Sequence, residues 1–129
     1  YDMRFPQLYR ALGQGHAQII TIPAAFTVPT GKAHWHVLLR ARAIETGCFL
    51  LAPAQCGTSV VTHGRPRQTY GHSLVVNPWG EVLVDGGDDV GVFFAEIDLD
   101  AVAAARGKIP SLAHDRAFGE PVVYGGSKT

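Results

Sequence analysis

An α/β layered fold is what this sequence predicts, and three observations carry the prediction. Segments with helical period alternate with short continuous apolar runs. Two β-branched stretches flank a turn tetrad, Asn77-Pro78-Trp79-Gly80. The 129 residues are 47% hydrophobic, which suits one domain with a real core.

Over residues 4–12, Phe5, Leu8, Tyr9 and Leu12 recur at helical spacing. Pro6 fits a first turn, and Gly13 and Gly15 end the helix. Residues 17–23 carry Ile19, Ile20 and Ile22, an apolar run that predicts a strand buried on both faces. Residues 24–32 read as loop. Trp35, Leu38, Leu39, Ala41, Arg42 and Glu45 predict the longest helix over 33–46, with Gly47 in the place of its C-cap. A second apolar run over 48–54 completes a βαβ rhythm. The polar stretch 57–70, with Gly64 and Pro66, reads as an exposed connection. Residues 72–76 and 81–84 form the hairpin around the tetrad, and a third strand over 91–97 follows Gly86-Gly87-Asp88-Asp89. Asp98 is placed to cap a short helix over 99–106, because its carboxylate accepts from unpaired backbone donors. Residues 107–129 hold Gly and Pro without a period and read as a mostly irregular tail.

Eleven basic residues balance eleven acidic ones, so no summed positive field attracts nucleic acid or an anionic membrane. No apolar run reaches the roughly 18 residues that span a bilayer. A cytoplasmic protein is the expectation. Two cysteines, Cys48 and Cys56, make neither a disulfide framework nor a zinc knuckle and read as buried reduced thiols. The chain opens on Tyr1 rather than methionine, as a sequence does when something upstream is missing.

Several constellations invite chemistry. His34-Trp35-His36 suggests a metal, yet helical residues two apart face different ways, and no further Cys, His or carboxylate cluster completes a site. Cys56 has two readings, a nucleophile with His63 or His72 as base, which spacing does not support, or a small buried thiol at a strand end, the commoner fate of such a residue. Asp85, Asp88 and Asp89 sit among glycines and read as solvated turn acids. Arg42 and Glu45, three apart, suit a helix-surface ion pair. GQG and GG do not form a dinucleotide fingerprint.

Four stretches taken in order change the position: YDMRFPQLYRAL, IPAAFTVPTGKAHWHVLLRARAIETG, APAQCG, and YGHSLVVNPWGEVL followed by AEIDLD. Together they resemble the amidase branch of the nitrilase superfamily of carbon-nitrogen hydrolases, the branch of deaminated-glutathione amidase and omega-amidase. The resemblance covers nearly the whole chain and implies the C-terminal half of an αββα sandwich. It implies hydrolysis of a linear carboxamide by a Glu-Lys-Cys triad, through a thioester on the cysteine.

By the same resemblance the nucleophile stands immediately before Tyr1, and the glutamate and lysine lie further upstream. No residue of this chain then belongs to the triad, and the fragment alone is expected to be inactive. What the chain supplies is the ground around the nucleophile. The backbone N–H of Tyr1 is the expected oxyanion donor, with Asp2 and Arg4 fixing the turn. Arg4 has a second reading as an ion pair holding the helix start. Phe26 and Thr27 are expected as pocket wall, with His34 and Trp35 bordering the mouth, and plain core is the alternative for Phe26.

Two positions depart from the pattern. Gln7 stands where the family commonly reads RFPE, and His36 where it reads HWE. Both remove a carboxylate near the mouth, which leaves a different amide or a carbamoyl substrate open. A small-molecule amide is the implied partner, no cofactor or metal is implied, and a homo-oligomer is expected for the parent. The competing reading is a non-catalytic half-domain that pairs through its uncovered sheet.

Overall fold

The computed structural model describes residues 1–59, 64–120 and 122. A turn of 3-10 helix, Asp2–Arg4, leads into α1 (Pro6–Gln14), with Pro6 in the first turn, where its missing N–H is not needed. Strand β1 (Ile19–Thr21) follows. The helical stretch that crosses back has three parts: α2 (Val28–Thr30), a π-helical segment (Gly31–Trp35) and α3 (His36–Thr46). The helix therefore starts five residues before 33, because Pro29 can open a helix as well as interrupt a loop. It stops where expected. Gly47 takes φ +59°, and its N–H closes on Ala43 O at 2.8 Å.

Strands β2 (Phe49–Ala52), β3 (Cys56–Ser59), β4 (Arg67–Tyr70), β5 (Leu74–Val76) and β6 (Val82–Asp85) complete the sheets, and α4 (Asp100–Lys108) and a 3-10 turn at Ser111–Ala113 follow. The main sheet runs β1-β2-β5-β6. β1 and β2 are parallel, Ile19 beside Phe49, as a helical crossover requires. The β5–β6 hairpin turns on Asn77, whose Oδ1 accepts from the N–H groups of Trp79 and Glu81. Asp98 Oδ1 accepts from Asp100 N at 3.0 Å, the capping role expected of it.

Three expectations are corrected. The stretch read as an exposed connection holds β3 and β4, an antiparallel pair from Cys56–Tyr70 to Ser59–Arg67. Its polar residues hide the pairing because both faces of this ribbon are wet and no apolar alternation marks it. Residues 91–97 make no ladder among the described residues. After the glycine turn they cross the sheet instead: Phe93 lies against Gly86, and Val92 and Phe93 join Leu51, Val75 and Val84 in lining an apolar trough. Phe93 seated against Gly86 draws the segment over this face, although Val92 and Phe94 remain exposed. Finally, β1 is buried on one face only, with Ile20 at 6% exposure and Ile19 at 42%.

That asymmetry runs through the sheet. Ile20, Ile22, Leu50, Ala52, Leu74 and Val76 point to the helices and join Met3, Tyr9, Trp35, Leu39, Ala43 and Cys48 in one core. The opposite face, with Ile19, Thr21, Leu51 and Val75, stays open or half-open. One sheet with helices on a single side is half of an αββα sandwich. Residues 107–115 are more ordered in structure than the tail reading implied, since Arg10 and Gln14 of α1 both hold the Asp115 carboxylate.

The π-helical turn depends on Gly31. A methyl group there would overlap the root of the Tyr70 ring, which cannot swing away without moving β4. Gly31→Ala is expected to cost about 1–3 kcal/mol through overpacking, read as a lower urea midpoint at unchanged m-value.

Candidate functional site

The site grows from the first turn. Arg4 N–H donates to Tyr1 O at 3.0 Å and Phe5 N–H to Asp2 O at 2.9 Å, so residues 1–5 form a tight turn held by its own backbone. From below, Arg42 of α3 donates from Nη2 to Met3 O at 2.9 Å and from Nε at 3.2 Å. Its Nη1 meets Glu45 Oε2 at 3.0 Å, and its guanidinium lies over the Tyr9 ring. The expected Arg42–Glu45 pair is therefore present, but Arg42 is buried and its main duty is tertiary: it pins the turn to the long helix. Burial and the nearby Asp2 charge push the Tyr9 phenol above its ordinary range against the opposing effect of Arg42, so Tyr9 is neutral at pH 7.

Beside the turn lies a cleft of about 410 Å³ lined by Tyr1, Arg4, Phe26, Thr27, Thr30 and Arg67 together with Ala24 and Ala25. Phe26 and Thr27 are carried there by the chain after β1, which continues the sheet by pairing outward: Tyr70 N–H donates to Phe26 O, and Thr27 bridges Thr69. Thr27 Oγ1 and Thr30 Oγ1 are 2.8 Å apart at the start of α2. Arg4 spans the cleft wall, its guanidinium 5.3 Å from both the Tyr1 and Phe26 ring centres and its Nη1 donating to His34 Nδ1 at 3.3 Å. An aromatic and imidazole cradle, rather than an ion pair, holds Arg4.

Of the residues expected at the mouth, Tyr1, Arg4, Phe26 and Thr27 share this cleft, and His34 reaches it through Arg4. Asp2 contributes through its backbone carbonyl. Trp35 does not border the mouth: it is fully buried, tilted against Phe26 at 4.9 Å, with its indole N–H on His72 O at 2.7 Å. The wider π turn leaves the large ring facing the core.

Next to Trp35 a second cluster assembles. His36 Nε2 lies 2.9 Å from Asp85 Oδ2, and His72 Nδ1 lies 2.8 Å from Asp85 Oδ1. The Gly87 N–H also reaches Oδ1, at 2.9 Å. His72 stacks on Tyr70 at 4.2 Å and has φ +57°. Burial disfavours the Asp85 carboxylate, but the hydrogen bonds from His36, the Gly87 amide and His72 outweigh it and hold its carboxyl below the usual range. Asp85 is exposed, as a solvated acid should be, but it is also paired with two histidines, a role the turn reading lacked, while Asp88 and Asp89 are exposed without it. His34 and His36 go to different partners, as helical spacing requires, but His36 finds a histidine and a carboxylate far off in sequence. Cys48 is buried, with Sγ on Ala17 O, and Cys56 is half-exposed in β3. His72 is engaged by Asp85, and His63 lies outside the described residues.

Residues 1–107 match the carbon-nitrogen hydrolase family. This chain belongs to that family. Deaminated glutathione amidase of Synechocystis is 48% identical over 114 residues, covering 88% of this chain and 40% of the relative. The human protein of the same name is 49% identical over 125 residues, covering 97% and 36%. In structure, the nitrilase and fragile histidine triad fusion protein of Caenorhabditis elegans superposes with a TM-score of 0.81 at 47% identity, over 90% of this chain and 27% of that one. A Saccharomyces cerevisiae member of branch 10 of the nitrilase superfamily gives 0.76 at 31% identity, over 85% and 39%. The chain spans about two-fifths of the length of the curated relatives it matches.

Within this carbon-nitrogen hydrolase portion, sequence reasoning missed Thr30, Arg67 and the duty of Arg42. Arg67 sits in the polar stretch whose strand character was hidden, where it donates to Ala25 O at 2.7 Å and turns its charge to the cleft. For Arg42 a signal existed: it falls on the same helical stripe as Leu39, Ala43 and Thr46, all fully buried, and a cation on a buried stripe implies a carbonyl or carboxylate waiting for it.

Proposed function

We propose that the protein containing this chain hydrolyses the C–N bond of a small linear carboxamide, with the cleft beside the residue 1–5 turn receiving the acyl portion. The observation that carries this reading is the turn itself. It is fixed by its own backbone and by the buried Arg42, and it opens on a cleft whose walls include Phe26 and Thr27. A preorganised turn with a free backbone donor is what stabilises a developing oxyanion.

In this reading a cysteine immediately before Tyr1 attacks the carboxamide carbon as a thiolate. The tetrahedral oxyanion accepts from the Tyr1 N–H and from a lysine upstream, and an upstream glutamate delivers the proton with which ammonia or the substituted amine leaves. Water attacks the resulting thioester, giving its proton to the glutamate, and the carboxylic acid departs as the thiol is restored. Arg4 and Arg67 give the cleft positive charge with no carboxylate among the described residues that line it, which suits an acyl group bearing its own carboxylate, as deaminated glutathione does. The intact protein assembles as a homo-oligomer in this reading, supported by the apolar patch of Ile44, Trp79 and Ile109 on the helical side.

The test begins with the coding sequence upstream of Tyr1, where an in-frame cysteine codon is expected. In the full-length protein, its change to alanine should abolish release of cysteinylglycine from deaminated glutathione, while Arg67→Gln raises KM with little change in kcat. Another residue at that position, or full turnover by the alanine variant, overturns the proposal.

A further inference from the structure

We propose that His36, His72 and Asp85 form a binding site for one divalent transition-metal ion of the zinc class, separate from the amide-hydrolysing cleft. Each residue offers one ligand atom, and the three atoms lie within 4.8 Å of one another. Tetrahedral ligands at about 2.0–2.1 Å from a zinc ion stand roughly 3.3 Å apart. His36 Nε2 lies 2.9 Å from Asp85 Oδ2 and His72 Nδ1 2.8 Å from Asp85 Oδ1, so both imidazoles already converge on the one carboxylate whose single oxygen would take the ion. Two imidazoles and one carboxylate are borderline donors, which favour zinc, cobalt or iron(II) over magnesium or calcium. Three protein ligands also leave one position for water.

The surroundings hold the donors in place. His36 is fixed on α3 with its ring against Tyr70 and His72. The His72 backbone is clamped on both sides, its N–H on Gly87 O and its carbonyl on the Trp35 indole, and its ring stacks on Tyr70. Asp85 takes the Gly87 N–H, a partner from outside the ligand set of the kind that orients carboxylates at metal centres. The side chains remain about one-third exposed, so an ion has a route in. Bound there, the ion ties the start of α3 to the turn before β5 and to the end of β6.

The experiment uses the full-length protein, without a polyhistidine tag and stripped by a chelator, titrated with cobalt(II) and then zinc(II). One equivalent of cobalt should produce a ligand-field band in the visible, which zinc bleaches, and the thermal midpoint should rise with zinc concentration. Asp85→Asn and His36→Gln should each lose the band and the zinc-dependent shift. Should Asp85→Asn fail to fold, His36→Gln, on the partly exposed side of α3, decides alone. Absence of a band at one equivalent in the unmodified protein overturns the proposal, as does a band that survives His36→Gln. Either result leaves the three residues as a hydrogen-bonded cluster only. Amide hydrolysis is not the readout, so this result and that of the cysteine test are independent.

Discussion

Replacing Trp35 by alanine should lower the unfolding free energy of the full-length protein by about 3–5 kcal/mol, the range for deleting a fully buried large aromatic side chain. Trp35 has no solvent exposure, packs against Phe26, and donates to His72 O at 2.7 Å. Two losses combine: a cavity opens in the core, and a carbonyl beneath the His72 turn loses its donor. Trp35→Phe separates them. It keeps most of the volume and should cost about 1–3 kcal/mol, chiefly the unsatisfied carbonyl. Guanidinium denaturation of both variants, followed by circular dichroism, gives the comparison. Equal costs for the two would mean that the indole N–H, and not packing, carries the effect.

The second large effect is expected at Arg42. Arg42→Met preserves the aliphatic stem but removes every donor to Met3 O, leaving Glu45 unpaired at the helix edge. A buried carbonyl stripped of a charged partner costs about 1–3 kcal/mol, and loss of the guanidinium over Tyr9 adds about 0.5–1 kcal/mol. The turn over residues 1–5 also loses its tether to α3. If the turn presents the oxyanion donor, kcat for amide hydrolysis should fall by more than an order of magnitude while KM moves little. Glu45→Gln, which leaves the Met3 contacts in place, should retain near-normal kcat. A fall in stability with unchanged kcat would separate Arg42 from the positioning of the turn.

The strands and helices most legible in the sequence are those whose burial leaves a period or whose ends need a particular residue. Ile20 and Ile22, Leu50 and Ala52, and the Asn77–Gly80 turn belong to that class, as does Gly47, whose left-handed backbone is foreseeable because a helix must end there. The β3–β4 ribbon was illegible because Thr58, Ser59, Arg67 and Gln68 are wet on both sides and leave no alternation. Residues 91–97 failed in the opposite sense: their apolar spacing is genuine, but it serves a sheet face rather than a ladder. The family motifs pointed to the turn and to Phe26 and Thr27, and the structure sets these residues around one cleft. The grouping of His36, His72 and Asp85 was invisible because its members lie on three separate elements, and only the β5–β6 hairpin and the left-handed backbone at His72 bring them together.

The bare side of the main sheet has a thermodynamic meaning. A sheet gains little from hydrophobic burial on one face while Ile19, Leu51, Val75, Val92 and Phe94 on or beside the other still meet water. Whatever layer closes that face shares its free energy with the helices behind the sheet, because each strand is common to both. With such a layer in place, unfolding would be a property of the closed assembly and not of these residues alone. A substitution deep on the helical side, such as one at Leu39, is paid for equally by the layer that never touches it.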